Sequence, residues 1–354
     1  MKAWEKNIRR VTPYVPGEQP AIPGMIKLNT NENPYPPAPG VTRVLHEMDT
    51  DMLRLYPDPA ISLLVEELAA FYGLKKEQVF VGVGSDDVLA TCFLTFFNSG
   101  RPVLFPDITY SFYPVWCRLY KIPYETLPLD ENFHIVREDY YRENGGIVIA
   151  NPNAPTSIYE ELELIDDIIS HNPDSIIIID EAYIDFSGPS AIELIKKHDN
   201  LVVVQTFSKS RSMAGMRIGY AMANPELIRA LNDVKYSINS YTLNQTAILA
   251  GVEAVKDEAY FRENIKKVIA TRQRVQEQLR ALGFSFPKSG TNFIFASHKE
   301  IAAKEIYNEL RKNNIFVRYF DLPRIDNYLR ISIGKDEEMD KLISFLRSFL
   351  ENHR

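Results

Sequence analysis

Leu201 to Tyr220 read LVVVQTFSKSRSMAGMRIGY. The stretch begins as an unbroken apolar run, passes into a loop of hydroxyls around one amine, Lys209, and ends with glycines on either side of Arg217. A run that is apolar at every position, not at alternate ones, is a strand covered on both faces, the setting of a parallel sheet between helices. Lys209 therefore sits where such a strand ends, and in open sheets of this kind the carboxyl ends of the strands form the ligand crevice. An amine held there loses hydration, which disfavours the ammonium and favours the neutral form that attacks carbonyls. A lone loop lysine is ordinarily a solvated surface residue. Here Ser208 and Arg217 offer donors to an anion, and Gly215 is expected to let the backbone approach it, so the stretch reads as a Schiff-base lysine beside a phosphate cup.

The same pattern recurs upstream. QVFVGVG (78–84), RPVLFPD (101–107), GIVIANPN (146–153) and SIIIIDEAY (175–183) are further apolar strands, and RIGYAMAN (217–224) follows the lysine loop. Between them SLLVEELAAFYG (62–73), SDDVLATCFLTFF (85–97) and SFYPVWCRLY (111–120) carry helical spacing. After about residue 240 the pattern changes. Helical sequence over 242–282 is followed by SGTNFIFAS (289–297), a helix over 299–314, IFVRYF (315–320), YLRISIG (328–334) and a last helix from Asp336. The expected fold is α/β: an extended Pro- and Asn-rich arm over 1–40, a large domain over 41–245 with a mostly parallel sheet covered by helices, and a smaller α+β domain over 246–354.

Composition excludes several classes of function. An apolar share of 45% over 354 residues provides for a sizeable core, and a net charge of -7 repels phosphate backbones, so nucleic acid is not the expected partner. Cys92 and Cys117 fall in apolar helical patterns and read as buried thiols, not a disulfide or metal pair; no metal is expected. No run reaches the roughly 18 apolar residues of a membrane span, and MKAWEKNIRR is not a signal peptide; a cytoplasmic protein is expected.

The unusual polar residues cluster after the strands. Asp180 closes SIIIID, a run without another charge, so its carboxylate needs a cation: a pyridinium nitrogen, a metal, or a helix end to cap. Tyr183 follows three residues on. GVGSDD (82–87) precedes a helix, where backbone N–H groups can hold an anion, or where Ser85 or Asp86 is simply an N-cap. Tyr110, in DITYSFY, suits stacking on a planar heterocycle or ordinary core packing.

Taken in order, these residues resemble the fold-type I pyridoxal-phosphate (PLP) aminotransferases. The likeness runs through KLNTNENPYPP (27–37), YPDP (56–59), GVGSDD, NPNAPT (151–156), DEAYIDF (180–186), SKSRSMAGMRIGY and YLRISIG, and NENPYPP narrows it to the histidinol-phosphate branch. The resemblance implies PLP on Lys209, with Asp180 at the ring nitrogen, Tyr183 at the ring hydroxyl and Tyr110 on the ring face. It implies a phosphate site from Ser208, Arg217 and the backbone at Ser85 and Asp86, completed by Tyr56 of a second subunit in a homodimer. Arg330, with Arg318 as a second candidate, would bind the substrate's anionic group, and Tyr14 and Asn33 would border the substrate. The chain departs from the family where an asparagine usually meets the ring hydroxyl: Ala154 stands there, leaving Asn153 or Tyr183 to make the contact. The implied reaction transfers an amino group between histidinol phosphate and 2-oxoglutarate, in histidine biosynthesis. Alternatives are an aromatic amino acid aminotransferase, a PLP decarboxylase of a phosphorylated amino acid, and a non-catalytic binding protein on the same fold.

Overall fold

The computed structural model describes residues 2–353. A short strand in the arm, β1 (Ile26–Lys27), precedes a seven-stranded sheet. That sheet is built from β2 (Val79–Gly82), β3 (Val103–Pro106), β4 (Tyr124–Leu127), β5 (Gly146–Ala150), β6 (Ile177–Asp180), β7 (Leu201–Thr206) and β8 (Gly219–Ala223). The spatial order is β2-β8-β7-β6-β5-β3-β4; β8 runs against both neighbours and every other pairing is parallel. The continuous apolar runs are explained by two cores, one on each face. Ile177, Ile179, Leu201 and Val203 point into one, and Ile178, Val202 and Val204 into the other.

Helices α1 (Pro39–Glu47), α2 (Ser62–Tyr72), α5 (Leu162–Ser170) and α7 (Gln245–Lys256) supply the first core. Helices α3 (Gly84–Phe96), α4 (Tyr113–Tyr120) and α6 (Pro225–Ile238) supply the second. Helix α2 ends as its sequence indicates, on Gly73 at φ 63°. Cys92 and Cys117 are buried free thiols.

A second, antiparallel sheet holds β9 (Phe284–Ser285), β10 (Phe293–His298), β12 (Arg318–Tyr319) and β13 (Leu329–Ser332), in the order β12-β13-β10-β9. Its core is completed by α8 (Glu258–Ala281), α9 (Ala303–Lys312) and α10 (Asp336–Glu351). The arm is bound to this body: β1 pairs in parallel with β11 (Ile315–Phe316).

The structure departs from the sequence pattern in several places. IFVRYF is not one strand: β11 and β12 belong to different sheets, with Val317 between them. The helical stretch after 242 breaks at Asp257, whose carboxylate accepts the Tyr260 N–H at 3.1 Å and so begins α8. Helix α7, just past the expected junction at 245, packs against α1 and α2. Strand β4 lies at the sheet edge with three of its four residues exposed, so it carries no apolar run to betray it. Among the described residues no helix is long and apolar enough to cross a membrane.

Candidate active site

A cavity of about 880 Å³ opens where the carboxyl ends of the large sheet's strands face the second sheet, and the arm closes one side. Lys209, Asp180, Tyr110 and Ser85 reach it from the first body, Arg318 and Arg330 from the second, and Tyr14 from the arm. Residues more than a hundred positions apart thus converge, as the strand-end rule requires.

Lys209 is half-buried. Its amine donates to the Thr30 carbonyl at 3.4 Å and stands 5.6 Å from the centre of the Tyr183 ring. The loop beneath it is fastened from two directions: the Asn33 amide donates to the carbonyls of Lys209 (3.1 Å) and Ser210 (3.2 Å), and the Ser210 hydroxyl donates to Asp185. Asn33 therefore holds the lysine loop and does not line the cavity, contrary to its expected place beside substrate. A polar side chain in an extended arm bonds whichever backbone is nearest, and here that is the loop.

Asp180 is buried at the end of β6. Burial pushes its carboxyl up to about 6, against the opposing pull of the Tyr113 hydroxyl, which donates to Oδ2 at 2.8 Å. The other oxygen, Oδ1, is buried without a partner. Such an orphaned acceptor costs about 1–3 kcal/mol, which a bound N–H donor would recover. Tyr113 was not legible as a site residue. It lies in the SFYPVWCRLY helix, fully buried, with its phenol raised well above the usual range by burial and then by Asp180.

The anion cup forms at the start of α3. Its N-cap is Val83, so neither Ser85 nor Asp86 caps the helix; instead Asp87 accepts the Val83 N–H at 2.9 Å. The first-turn N–H groups remain open at the positive end of the helix dipole. Arg217 arches over them in the left-handed region at φ 55°, its guanidinium 3.4 Å from Asp86, which also accepts the Tyr110 hydroxyl at 2.8 Å. A Cβ on Gly84 would fall 2.6 Å from that guanidinium, and one on Gly219 would fall 2.2 Å from the Ser85 nitrogen. Close approach thus belongs to Gly84 and Gly219. Gly215, expected to provide it, is exposed with nothing within 4 Å of where its Cβ would be. Ser208 lines the cup, its oxygen accepting the Thr206 hydroxyl at 3.0 Å.

Tyr183 lines the cavity, but Asn153 does not. The Asn153 amide donates to the Ile108 carbonyl and Thr156 hydroxyl, both at 2.9 Å, and its oxygen accepts from Thr109 at 2.8 Å. Every polar atom of that side chain is engaged by the turn or by the loop after β3, so it has no donor left for a ligand, and Ala154 lines the cavity instead. Tyr56 is 81% exposed, stacked on Tyr241 with ring centres 4.5 Å apart, and is not part of the cavity wall.

On the far wall, Arg330 and Arg318 are cross-strand partners. Arg330 donates to the Asn29 carbonyl at 2.8 Å, lies between the Phe293 and Phe320 rings (5.4 and 5.6 Å), and has its Nε unpartnered. Burial, and then the neighbouring Arg318, lower its affinity for its own proton. Neither Asp321 nor Asp326 reaches it; among the described residues it forms no ion pair, and Asp321 lies near Lys304 at 3.6 Å. Two guanidinium groups side by side without a carboxylate offer donors of the kind that an anion accepts. Tyr14 stacks on Phe112, ring centres 4.2 Å apart.

The segment 28–31 was read only as part of a motif, yet it does the joining. The carbonyls of Leu28, Asn29, Thr30 and Asn31 accept, in turn, the Ser332 backbone N–H (3.0 Å), the Arg330 guanidinium (2.8 Å), the Lys209 amine (3.4 Å) and the Asn292 amide (2.9 Å).

Residues 23–346 match the family described as aminotransferase class I and II. The chain is 51% identical over 346 residues to a histidinol-phosphate aminotransferase of Clostridium acetobutylicum, covering 98% of each chain. It is 50% identical over 353 residues to one of Acinetobacter baylyi, covering 99% of this chain and 98% of the relative. In fold it is similar to the crystal structure of a histidinol-phosphate aminotransferase from Sinorhizobium meliloti in complex with pyridoxal-5'-phosphate. That likeness has a TM-score of 0.84 at 24% identity, over 93% of this chain and 92% of the other.

Proposed function

The chain belongs to the aminotransferase class I and II family, and from that premise we propose a PLP-dependent transaminase that exchanges an amino group between histidinol phosphate and 2-oxoglutarate. The residues present fit the cofactor. The orphaned Asp180 oxygen suits a protonated ring nitrogen, and the open N-terminus of α3 with Arg217 and Ser208 suits its phosphate. When bound, PLP supplies a carbonyl that takes up amines and a ring that withdraws electrons from the carbon losing its proton.

The protein's own groups do the rest. Asp180 keeps a proton on the ring nitrogen, and Tyr113, donating to the opposite oxygen, holds that carboxylate in place. Lys209 is the amine that would hold the cofactor and would carry a proton to and from the substrate carbon. Tyr110, fastened to Asp86 and lining the cavity, would offer its ring face to the cofactor. Arg330 and Arg318 take the phosphate of histidinol phosphate or the distal carboxylate of glutamate, since a guanidinium fork accepts either. The exposed Tyr56 serves the phosphate of a second copy, so the working unit is a homodimer, and its setting is the cytoplasm.

The substrate assignment is carried by the full-length likeness to relatives named for that activity, and the unpaired Arg330 supports it. It is tested by mixing the PLP-loaded protein singly with histidinol phosphate, glutamate, phenylalanine and tyrosine and following loss of the near-visible absorbance. Histidinol phosphate and glutamate should each bleach it. Bleaching by phenylalanine or tyrosine in preference to histidinol phosphate would make it an aromatic aminotransferase.

A further inference from the structure

The Tyr183 hydroxyl is bonded in a way that leaves its hydrogen one direction to go. Its oxygen accepts the Asn31 side-chain N–H at 2.9 Å. That amide has a fixed orientation: its oxygen accepts the Ser332 hydroxyl at 2.9 Å, and the same Ser332 oxygen accepts the backbone N–H of Asn31 at 2.9 Å. The Asn31 carbonyl is held by Asn292, and its backbone lies in the left-handed region at φ 57°, which asparagine tolerates better than most residues. Asn31, Ser332 and Tyr183 are all buried. Because Asn31 donates, Tyr183 cannot donate back, and no acceptor among the described residues takes the phenol hydrogen. The ring stands edge-on to Phe293 at 5.2 Å and borders the cavity, where Ala154 offers no polar side-chain atom.

We propose that Asn31, locked by Ser332, is a positioning residue that commits the Tyr183 hydroxyl to donate into the cavity, toward the anionic ring oxygen of the cofactor. This rests on the reading of Tyr183 as the ring-oxygen partner. The charged and titratable groups around the phenol are Lys209 over its ring, Arg330 and Tyr113. A bond donated to the ring oxygen stabilises its negative charge, and so lowers the pH at which the bound chromophore gives up its proton.

The measurement is a pH titration of the near-visible absorbance of the PLP-loaded protein. Asn31→Asp keeps the size and the left-handed backbone but replaces the donor by an acceptor that captures the Tyr183 hydrogen. Asn31→Gly keeps the backbone and removes the clamp without adding charge. Both should move the midpoint upward, Asn31→Asp by about one pH unit or more, in the direction of Tyr183→Phe. In a Tyr183→Phe background neither should move it appreciably further. An unchanged midpoint in both variants overturns the proposal. So do equal shifts with and without the Tyr183 hydroxyl, which would mark a charge or packing effect. If Tyr183→Phe itself leaves the midpoint unchanged, the role given to Tyr183 fails and Asn31 with it. A wild-type protein that takes up no chromophore would instead fail the cofactor reading.

Discussion

Replacing Arg330 by lysine isolates geometry from charge. The guanidinium has five N–H groups. One donates to the Asn29 carbonyl at 2.8 Å, Nε is buried without a partner, and the residue borders the cavity. Lysine would keep the positive charge between Phe293 and Phe320 but present a single ammonium, which cannot satisfy Asn29 and grip an anion from two points at once. Losing one charge-assisted hydrogen bond corresponds to about 1–3 kcal/mol, or roughly five- to 150-fold in affinity. The assay titrates PLP-loaded Arg330→Lys with histidinol phosphate and with glutamate and reads half-saturation from the absorbance. Both substrates should weaken within that range while the starting spectrum stays that of wild type. Arg318→Lys should weaken one of them more than the other. Asp321→Asn should weaken neither, because Asp321 sits by Lys304. A change of less than about twofold for both substrates in Arg330→Lys would move the anion site elsewhere and remove the structural support for histidinol phosphate.

Other perturbations read other parts of the site. Lys209→Ala should retain cofactor through Asp180 and the phosphate cup but lose nearly all turnover; near-wild-type turnover would show that another amine does the work. Mixing inactive Lys209→Ala with inactive Tyr56→Ala should restore part of the activity, because a mixed dimer rebuilds one complete site; no recovery despite demonstrated subunit exchange would rule out the shared site. Gly219→Ala drives a Cβ toward the Ser85 backbone nitrogen at 2.2 Å and should weaken PLP binding at least tenfold, measured by equilibrium loading; wild-type affinity would mean the cup is softer than its contacts imply. In the cofactor-free protein, burial raises Asp180 from 3.8 to about 6 and Glu181 from 4.5 to about 7. The folded state then holds these protons more tightly than the unfolded chain, so the contribution of these two groups to stability is complete below about pH 4 and is lost as pH rises through 6 to 7. Melting temperatures compared between wild type and Asp180→Asn across pH should isolate the Asp180 part, with the difference changing as pH rises toward 6. A profile unaltered by that substitution would contradict the burial argument.

The buried strands of the large sheet and the placing of Lys209, Asp180 and Arg217 just past them were legible because a buried parallel strand announces itself by composition, and its end fixes where the next polar residue emerges. What did not follow was the direction of side chains in irregular segments. Asn33 and Asn153 have the right chemistry for a ligand, but each found backbone or hydroxyl partners nearby, and nothing in their spacing distinguishes those partners from a substrate. Tyr113 looked like a core aromatic on an amphipathic helix, and it is one; only the position of Asp180 opposite its hydroxyl gives it a second role. Val317 separates two short strands that read as one, since a change of sheet leaves no mark on a six-residue apolar pattern.

The four accepting carbonyls from Leu28 to Asn31 make the arm a gauge. Successive Cα atoms are about 3.8 Å apart whatever the side chains. The guanidinium on Asn29 and the amine on Thr30 therefore bond to adjacent residues of one segment. The Arg330 guanidinium and the Lys209 amine, which come from different sheets, thus share one anchor in the arm. Inserting or deleting a single residue between Leu28 and Asn31 would disturb several of these contacts together, whereas changing Arg330 alone alters one.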